Sequence, residues 1–166
     1  PEQYDPNSPS VRVGGSITKN FQTVTHAERM YSLDNTYSPE ELGDWLKRIE
    51  KINGAPITSF TCELKFDGAS INMTYVNGEL QKAVTRGDGS QGDDVTANVK
   101  TIQNVPLKLS GDFPPEFDIR GEIILPLAGF EALNKKRLAA GEEPYRNPRK
   151  TASGSLKLQD SSETAR

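Results

Sequence analysis

The chain has 166 residues, with 20 basic and 23 acidic side chains for a formal net charge of −3, and 34% of its residues are hydrophobic. That length suits one domain able to bury a core without disulfide or metal staples, and a charged fraction of 26% excludes wholesale disorder. No apolar run reaches the ~20 residues of a membrane span. The single cysteine, Cys62, cannot pair internally, and with one histidine, His26, it cannot build a zinc site. Residues 1–5 carry no basic or apolar leader, so a reducing, cytoplasmic compartment and no membrane partner are expected. Net acidity argues at first against nucleic acid, but the average hides an asymmetry. Residues 1–132 hold 12 basic and 19 acidic side chains, a net of −7, whereas residues 133–158 hold 7 and 2, a net of +5.

In chain order, residues 1–25 are polar, with Pro6, Pro9 and Gly14-Gly15, and read as a loop-like lead-in or linker before a core over 26–166. Ser38-Pro39-Glu40-Glu41 is a helix start: Ser38 caps, Pro39 takes the first helical position, and Glu41 completes a capping box. Leu42, Trp45, Leu46 and Ile49 then give one apolar face, up to Asn53-Gly54. Three strands are expected over Ser59–Phe66, Ala69–Val76 and Glu79–Arg86, with Asn77-Gly78 as the hairpin turn between the last two. A glycine-rich loop, Arg86 to Gly92, precedes a short helix over Asp93–Thr101. A strand over Phe117–Leu125 and a helix over Pro126–Ala139 follow, and Asn147-Pro148 caps a final segment. Hairpin-paired strands with interspersed helices predict an α+β fold with mainly antiparallel sheets and flanking helices.

The chemistry-bearing residues cluster around Glu63-Leu64-Lys65-Phe66-Asp67-Gly68. Alternation along a strand puts Glu63 and Lys65 on one face, with Asp67 at the strand end, and sends Cys62, Leu64 and Phe66 into the core. Taken alone, such a charged triplet is ordinarily a solvated ion pair. The loop at Arg86 is by itself more often a plain flexible hairpin loop than one whose amides and Arg86 approach a phosphate or ribose. Asp118, Arg120 and Glu122 share a face of the later strand, either lining a pocket or facing water.

Together the motifs are more specific. Lys65-Phe66-Asp67-Gly68 resembles the lysine-x-aspartate-glycine signature of covalent nucleotidyltransferases. Ser32-Leu33-Asp34-Asn35, Thr85-Arg86-Gly87-Asp88-Gly89, Gly92-Asp93-Asp94-Val95-Thr96-Ala97-Asn98-Val99, Arg120-Gly121-Glu122, Asn147-Pro148-Arg149 and Ala152-Ser153-Gly154-Ser155-Leu156 occur around it in order. The chain thereby resembles the adenylation domain of bacterial NAD-dependent DNA ligases, over about 7–159. The resemblance implies a covalent nucleotidyltransferase (ATP-grasp-like) fold, with Lys65 as the nucleophile that takes AMP from NAD and releases nicotinamide mononucleotide. AMP then passes to the 5′-phosphate of nicked double-stranded DNA, in replication and repair.

It also implies Ser32, Leu33 and Glu63 on the adenine side, Arg86 and Glu122 around the ribose and phosphate, Asp67 among the cofactor-binding residues, and a magnesium ion at Asp67 and Glu122. Carboxylates beside an amine favour its charged form, so an ion drawing on them would free the Lys65 nucleophile. The basic residues Arg149, Lys150 and Lys157 are the expected DNA contacts. Glu28-Arg29-Met30-Tyr31 departs from the family's apolar, proline-containing stretch, and Lys157 stands where arginine is common. The resemblance further implies a monomer, and a chain truncated at both ends relative to the full enzyme, whose zinc module lies in the absent part. Two alternatives stay open: an ATP-dependent ligase or capping enzyme, and a module that only binds nucleotide or DNA.

Overall fold

A computed structural model of the chain describes residues 20–164. Most of the lead-in, 1–19, lies outside them. In chain order the elements are β1 (Thr23–Thr25), α1 (Pro39–Asn53), β2 (Ala69–Val76), β3 (Glu79–Thr85), β4 (Gln91–Asp93), α2 (Thr96–Val99), β5 (Glu116–Ile123), α3 (Leu127–Ala139), α4 (Pro148–Ser155) and α5 (Ser161–Thr164). All strand pairings are antiparallel, so the α+β expectation holds. The chain divides into two compact units, one of Tyr31–Lys65 and one of the residues on either side.

The smaller unit is built on α1. Ser38 Oγ accepts from the Glu41 N–H at 3.2 Å, and Pro39 opens the helix, as read from the sequence. The Glu41 carboxylate accepts from Tyr37 N–H at 2.7 Å instead of from the cap residue itself. Gly54, at φ 76°, closes the helix in the left-handed region that favours glycine. Trp45 meets Phe60 with ring centroids 6.0 Å apart, and Glu50 accepts from Ile57 N–H. The strand expected over Ser59–Phe66 is absent. Residues 56–67 form no regular element, and Cys62, Leu64 and Phe66 are exposed instead of facing a core. The alternation is present, but a strand exists only through hydrogen bonds to a neighbour, and the segment has no ladder partner among the described residues.

In the larger unit β2 is the centre of a three-stranded sheet, β3-β2-β5. Asn77 and Gly78 both have positive φ, 50° and 78°, as a two-residue hairpin turn demands. The β2–β3 ladder slips between Thr74↔Lys82 and Tyr75↔Leu80, leaving Gln81 as a bulge. One face of β2 supplies Ile71 and Tyr75 to a core completed by Leu80, Ala83, Val95, Val99, Leu107 and Leu156. Tyr75 stacks on Phe117 and donates its hydroxyl to Pro106 O. The lead-in is not all loop: β1 pairs with β4, Thr23↔Asp93 to Thr25↔Gln91.

The expected helix over Asp93–Thr101 shortens to α2, because Asp93 is still paired in the β1–β4 ladder and Asp94 Oδ1 accepts from Thr96 N–H just before the helix begins. Asn98 then fastens the C-terminal segment, its Nδ2 donating to Leu156 O and Leu158 O. The expected α3 forms, but its apolar residues Leu127 and Leu138 are exposed. Its C-terminal turn is held by Arg137, which pairs with Glu142 at 2.7 Å and lies 4.2 Å over the Tyr145 ring.

Candidate functional site

The second face of the larger unit's sheet is polar, by the alternation that makes the first apolar. Registers Ser70↔Glu122, Asn72↔Arg120 and Thr74↔Asp118 place six polar side chains in three rows across β2 and β5. At one end the rows are tied together: Ser70 Oγ donates to Glu122 at 2.7 Å, and Ser70 O accepts from Arg86 N–H. Arg86 and Glu122, both singled out from the sequence, are thus brought onto one row with Ser70 between them.

The loop after Arg86 is preorganised. Asp88 Oδ1 accepts from the N–H groups of Ser90 (2.8 Å) and Gln91 (2.9 Å), and the Gln91 and Ser90 amides hold its carboxyl below the ordinary value of 3.8. Gly87 has φ 58°, and a Cβ on Gly92 would run into Thr85 O. Residues 26–30 lie along this loop. His26 Nε2 reaches Thr85 O at 3.1 Å and Arg86 O at 3.2 Å, so this nitrogen carries the proton it donates to the two carbonyls. The His26 and Met30 N–H groups donate to Ser90 O and Gly89 O. The Arg120 guanidinium donates to Glu28 O (2.5 Å) and Arg29 O (3.1 Å). Sequence reasoning gave His26 no such work; the histidine is half-buried and braces the loop. The alternation of Arg120 with Glu122 signalled their shared face, but nothing local marks the carbonyls that Arg120 grips.

Asp67 is exposed and pairs with Arg149 at 3.1 Å. Of the expected phosphate-contacting cations, Arg149 is therefore engaged with an acid, and Lys157 is as well, with Asp93 at 2.7 Å. Lys150 sits in the first turn of α4, where Asn147 Oδ1 caps its N–H at 2.8 Å. It lines a cleft of about 370 Å³ with Tyr145, Arg146, Thr151 and Gly154. Among the described residues no group of three or more His, Cys, Asp or Glu is placed to hold a metal ion.

In the smaller unit Lys65 and Glu63 are exposed, on the irregular segment before Asp67. Ser32 and Leu33 open a cleft of about 980 Å³ walled by Tyr37, Trp45 and Arg48, which neither Glu63 nor Lys65 lines. No helix of the described residues is long and apolar enough to cross a membrane.

A family model described as the NAD-dependent DNA ligase adenylation domain matches residues 18–166. The chain is similar to a DNA ligase of Flavobacterium psychrophilum, 65% identical over all 166 residues and 25% of that protein. It is 61% identical to a DNA ligase of Flavobacterium johnsoniae over the same shares, and 53% identical to one of Bacteroides fragilis over 97% of this chain and 24% of that protein. The chain thus spans about a quarter of the length of these curated relatives.

Proposed function

The chain belongs to the NAD-dependent DNA ligase adenylation-domain family, and from that premise we propose that it transfers AMP from NAD to its own Lys65. The neutral Lys65 amine attacks the adenylyl phosphorus. A nitrogen–phosphorus bond forms as the bond to nicotinamide mononucleotide breaks, and the amine proton leaves to solvent. In the whole protein the AMP then passes to the 5′-phosphate of a nick, and the facing 3′-hydroxyl displaces it to seal duplex DNA in replication and repair. The observation that carries this reading is the family match, which covers Lys65-Phe66-Asp67-Gly68 and every other motif in order. The same premise supports the covalent nucleotidyltransferase (ATP-grasp-like) fold, a monomer, and a cytoplasmic enzyme.

Transfer of this kind rests on positioning and charge stabilisation. Ser32, Leu33 and Glu63 take the adenine side. Arg86 meets the negative charge of the phosphates, and Glu122, steadied by the Ser70 hydroxyl, accepts from a ribose hydroxyl. Asp67 and Glu122 are the carboxylates assigned to magnesium. Two carboxylates plus substrate phosphates suit an ion that keeps several of its waters. When bound, that ion neutralises phosphate charge. Arg149, Lys150 and Lys157 are assigned to DNA phosphates, for which Arg149 and Lys157 exchange Asp67 and Asp93 as partners.

Intact mass after incubation with NAD and magnesium tests the reading. One added adenylyl group is expected on the wild-type chain and none on Lys65→Ala. An adduct that survives in Lys65→Ala removes the nucleophile assignment. An adduct formed from ATP and not from NAD points to an ATP-dependent ligase or capping enzyme. NAD binding without any adduct leaves a module that only binds.

A further inference from the structure

The Arg86 side chain leaves the backbone in a direction set by the two peptide planes that flank its Cα. Both planes are held. The one before carries the Arg86 N–H, which donates to Ser70 O; the one after carries Arg86 O, which accepts from Gly89 N–H at 3.0 Å. His26 Nε2 spans the two, donating to Thr85 O at 3.1 Å on the first plane and to Arg86 O at 3.2 Å on the second. One imidazole N–H thereby ties together the carbonyls on either side of a single Cα. The need for a tie is local. The next residue, Gly87, sits at φ 58°, and without a side chain it does little to resist rotation.

The rest of the 26–30 segment does not depend on the imidazole. The backbone N–H groups of His26 and Met30 donate to Ser90 O and Gly89 O whatever side chain stands at 26, and β1 stays paired with β4. Arg120, which shares a face of β5 with Glu122, holds Glu28 O and Arg29 O. Replacing the ring therefore leaves the segment fastened to the loop and to β5, and removes only the tie across Arg86. This separates the aim of one site residue from the stability of the fold around it.

We propose that His26 is a positioning residue for the nucleotide, fixing the Arg86 backbone so that the guanidinium meets the phosphate. The proposal rests on the assignment of Arg86 to nucleotide phosphate under the proposed function, and deepens it. AMP is the probe, because it carries that phosphate and leaves Lys65 unmodified. The 166-residue chain, ¹⁵N-labelled at arginine, is titrated with AMP, and the Arg86 Nε–H signal is followed by NMR. In the wild type that signal is expected to move with AMP. His26→Phe keeps a ring but has no donor, and is expected to lose the Arg86 response and to bind AMP about tenfold more weakly, as a misdirected charge-assisted contact would. His26→Gln is expected to restore both, since its amide nitrogen lies as many bonds from Cβ as the imidazole Nε2 does. Asn98→Ala, which loosens the C-terminal segment instead, is expected to bind AMP as the wild type does, so lost stability is not mistaken for lost aim. The proposal is overturned by wild-type affinity in His26→Phe, by His26→Gln as weak as His26→Phe, by equal weakening in Asn98→Ala, or by a wild-type Arg86 signal that ignores AMP. Adenylation is scored separately by mass: a chain that binds AMP through Arg86 but forms no adduct with NAD removes the nucleophile reading and leaves this one standing.

Discussion

Replacing Asn98 by alanine removes the two hydrogen bonds that fasten the chain after α4. Asn98 is 1% exposed, and its Nδ2 donates to Leu156 O at 2.7 Å and to Leu158 O at 2.9 Å. The Leu156 carbonyl belongs to a residue 2% exposed, so losing its donor leaves it unpaired in the core, at a cost of about 1–3 kcal/mol. Leu158 is only half-buried, and water replaces the amide there for a loss of about 0.5 kcal/mol. Deleting the side chain also removes its own unpartnered Oδ1, which returns part of the desolvation already spent on that atom. The balance is a destabilisation of about 2 kcal/mol, or about 4–8 °C in Tm for a chain of this size. Thermal unfolding followed by circular dichroism measures it. Asn98→Asp aims a carboxylate at the same two carbonyls and should unfold at a lower temperature than Asn98→Ala at neutral pH. A Tm within about 1 °C of wild type for Asn98→Ala, or an Asn98→Asp variant as stable as wild type, would refute this account of the anchor.

Gly92→Ala forces a methyl group against the backbone oxygen of Thr85 and should cost about 2 kcal/mol or more, read as a fall in Tm together with loss of the β1–β4 amide protection pattern; an unchanged Tm contradicts the close approach. The Asp88 carboxyl should titrate below 3.8 by NMR, because its ionised form accepts two backbone N–H bonds. With the folded value depressed, this support for the loop is complete above pH 3.8 and is lost as the pH falls through the lower folded value; a midpoint at or above 3.8 is the contrary result. Cys62, exposed in the folded chain, should be alkylated by iodoacetamide about as fast as in urea; protection of tenfold or more would restore the buried position expected from strand alternation.

Local signals were enough where the physics is local. Ser38, Pro39 and Gly54 determine both ends of α1 by cap and backbone requirements, and Asn77-Gly78 determines the hairpin by the sign of φ. The alternation over Ala69–Val76 and 117–123 led to the right strands because both find partners in a ladder. The same alternation over Ser59–Phe66 did not, since periodicity describes how a strand would be buried and not whether a neighbour is there to pair with it. In the candidate site the residue types were legible and their couplings were not. That Ser70 bridges Arg86 and Glu122, that His26 braces two carbonyls 59 and 60 residues away, and that Asp67 and Asp93 occupy Arg149 and Lys157 are all long-range facts. The basic segment was visible as a charge sum, but a sum does not show which of its cations already have acidic partners.

β2 carries the core on Ile71 and Tyr75 and the polar rows on Ser70, Asn72 and Thr74, so stability and chemistry are written on it in alternate letters. A substitution at either kind of position can be tolerated or rejected without reference to the other. A deletion or insertion has no such freedom. Shifting the frame by one residue would turn the polar rows inward and the core outward at once, on the one strand that both β3 and β5 depend on. The segment is therefore open to change in its letters and closed to change in its length, and variation in length has to be absorbed in the turns at its two ends.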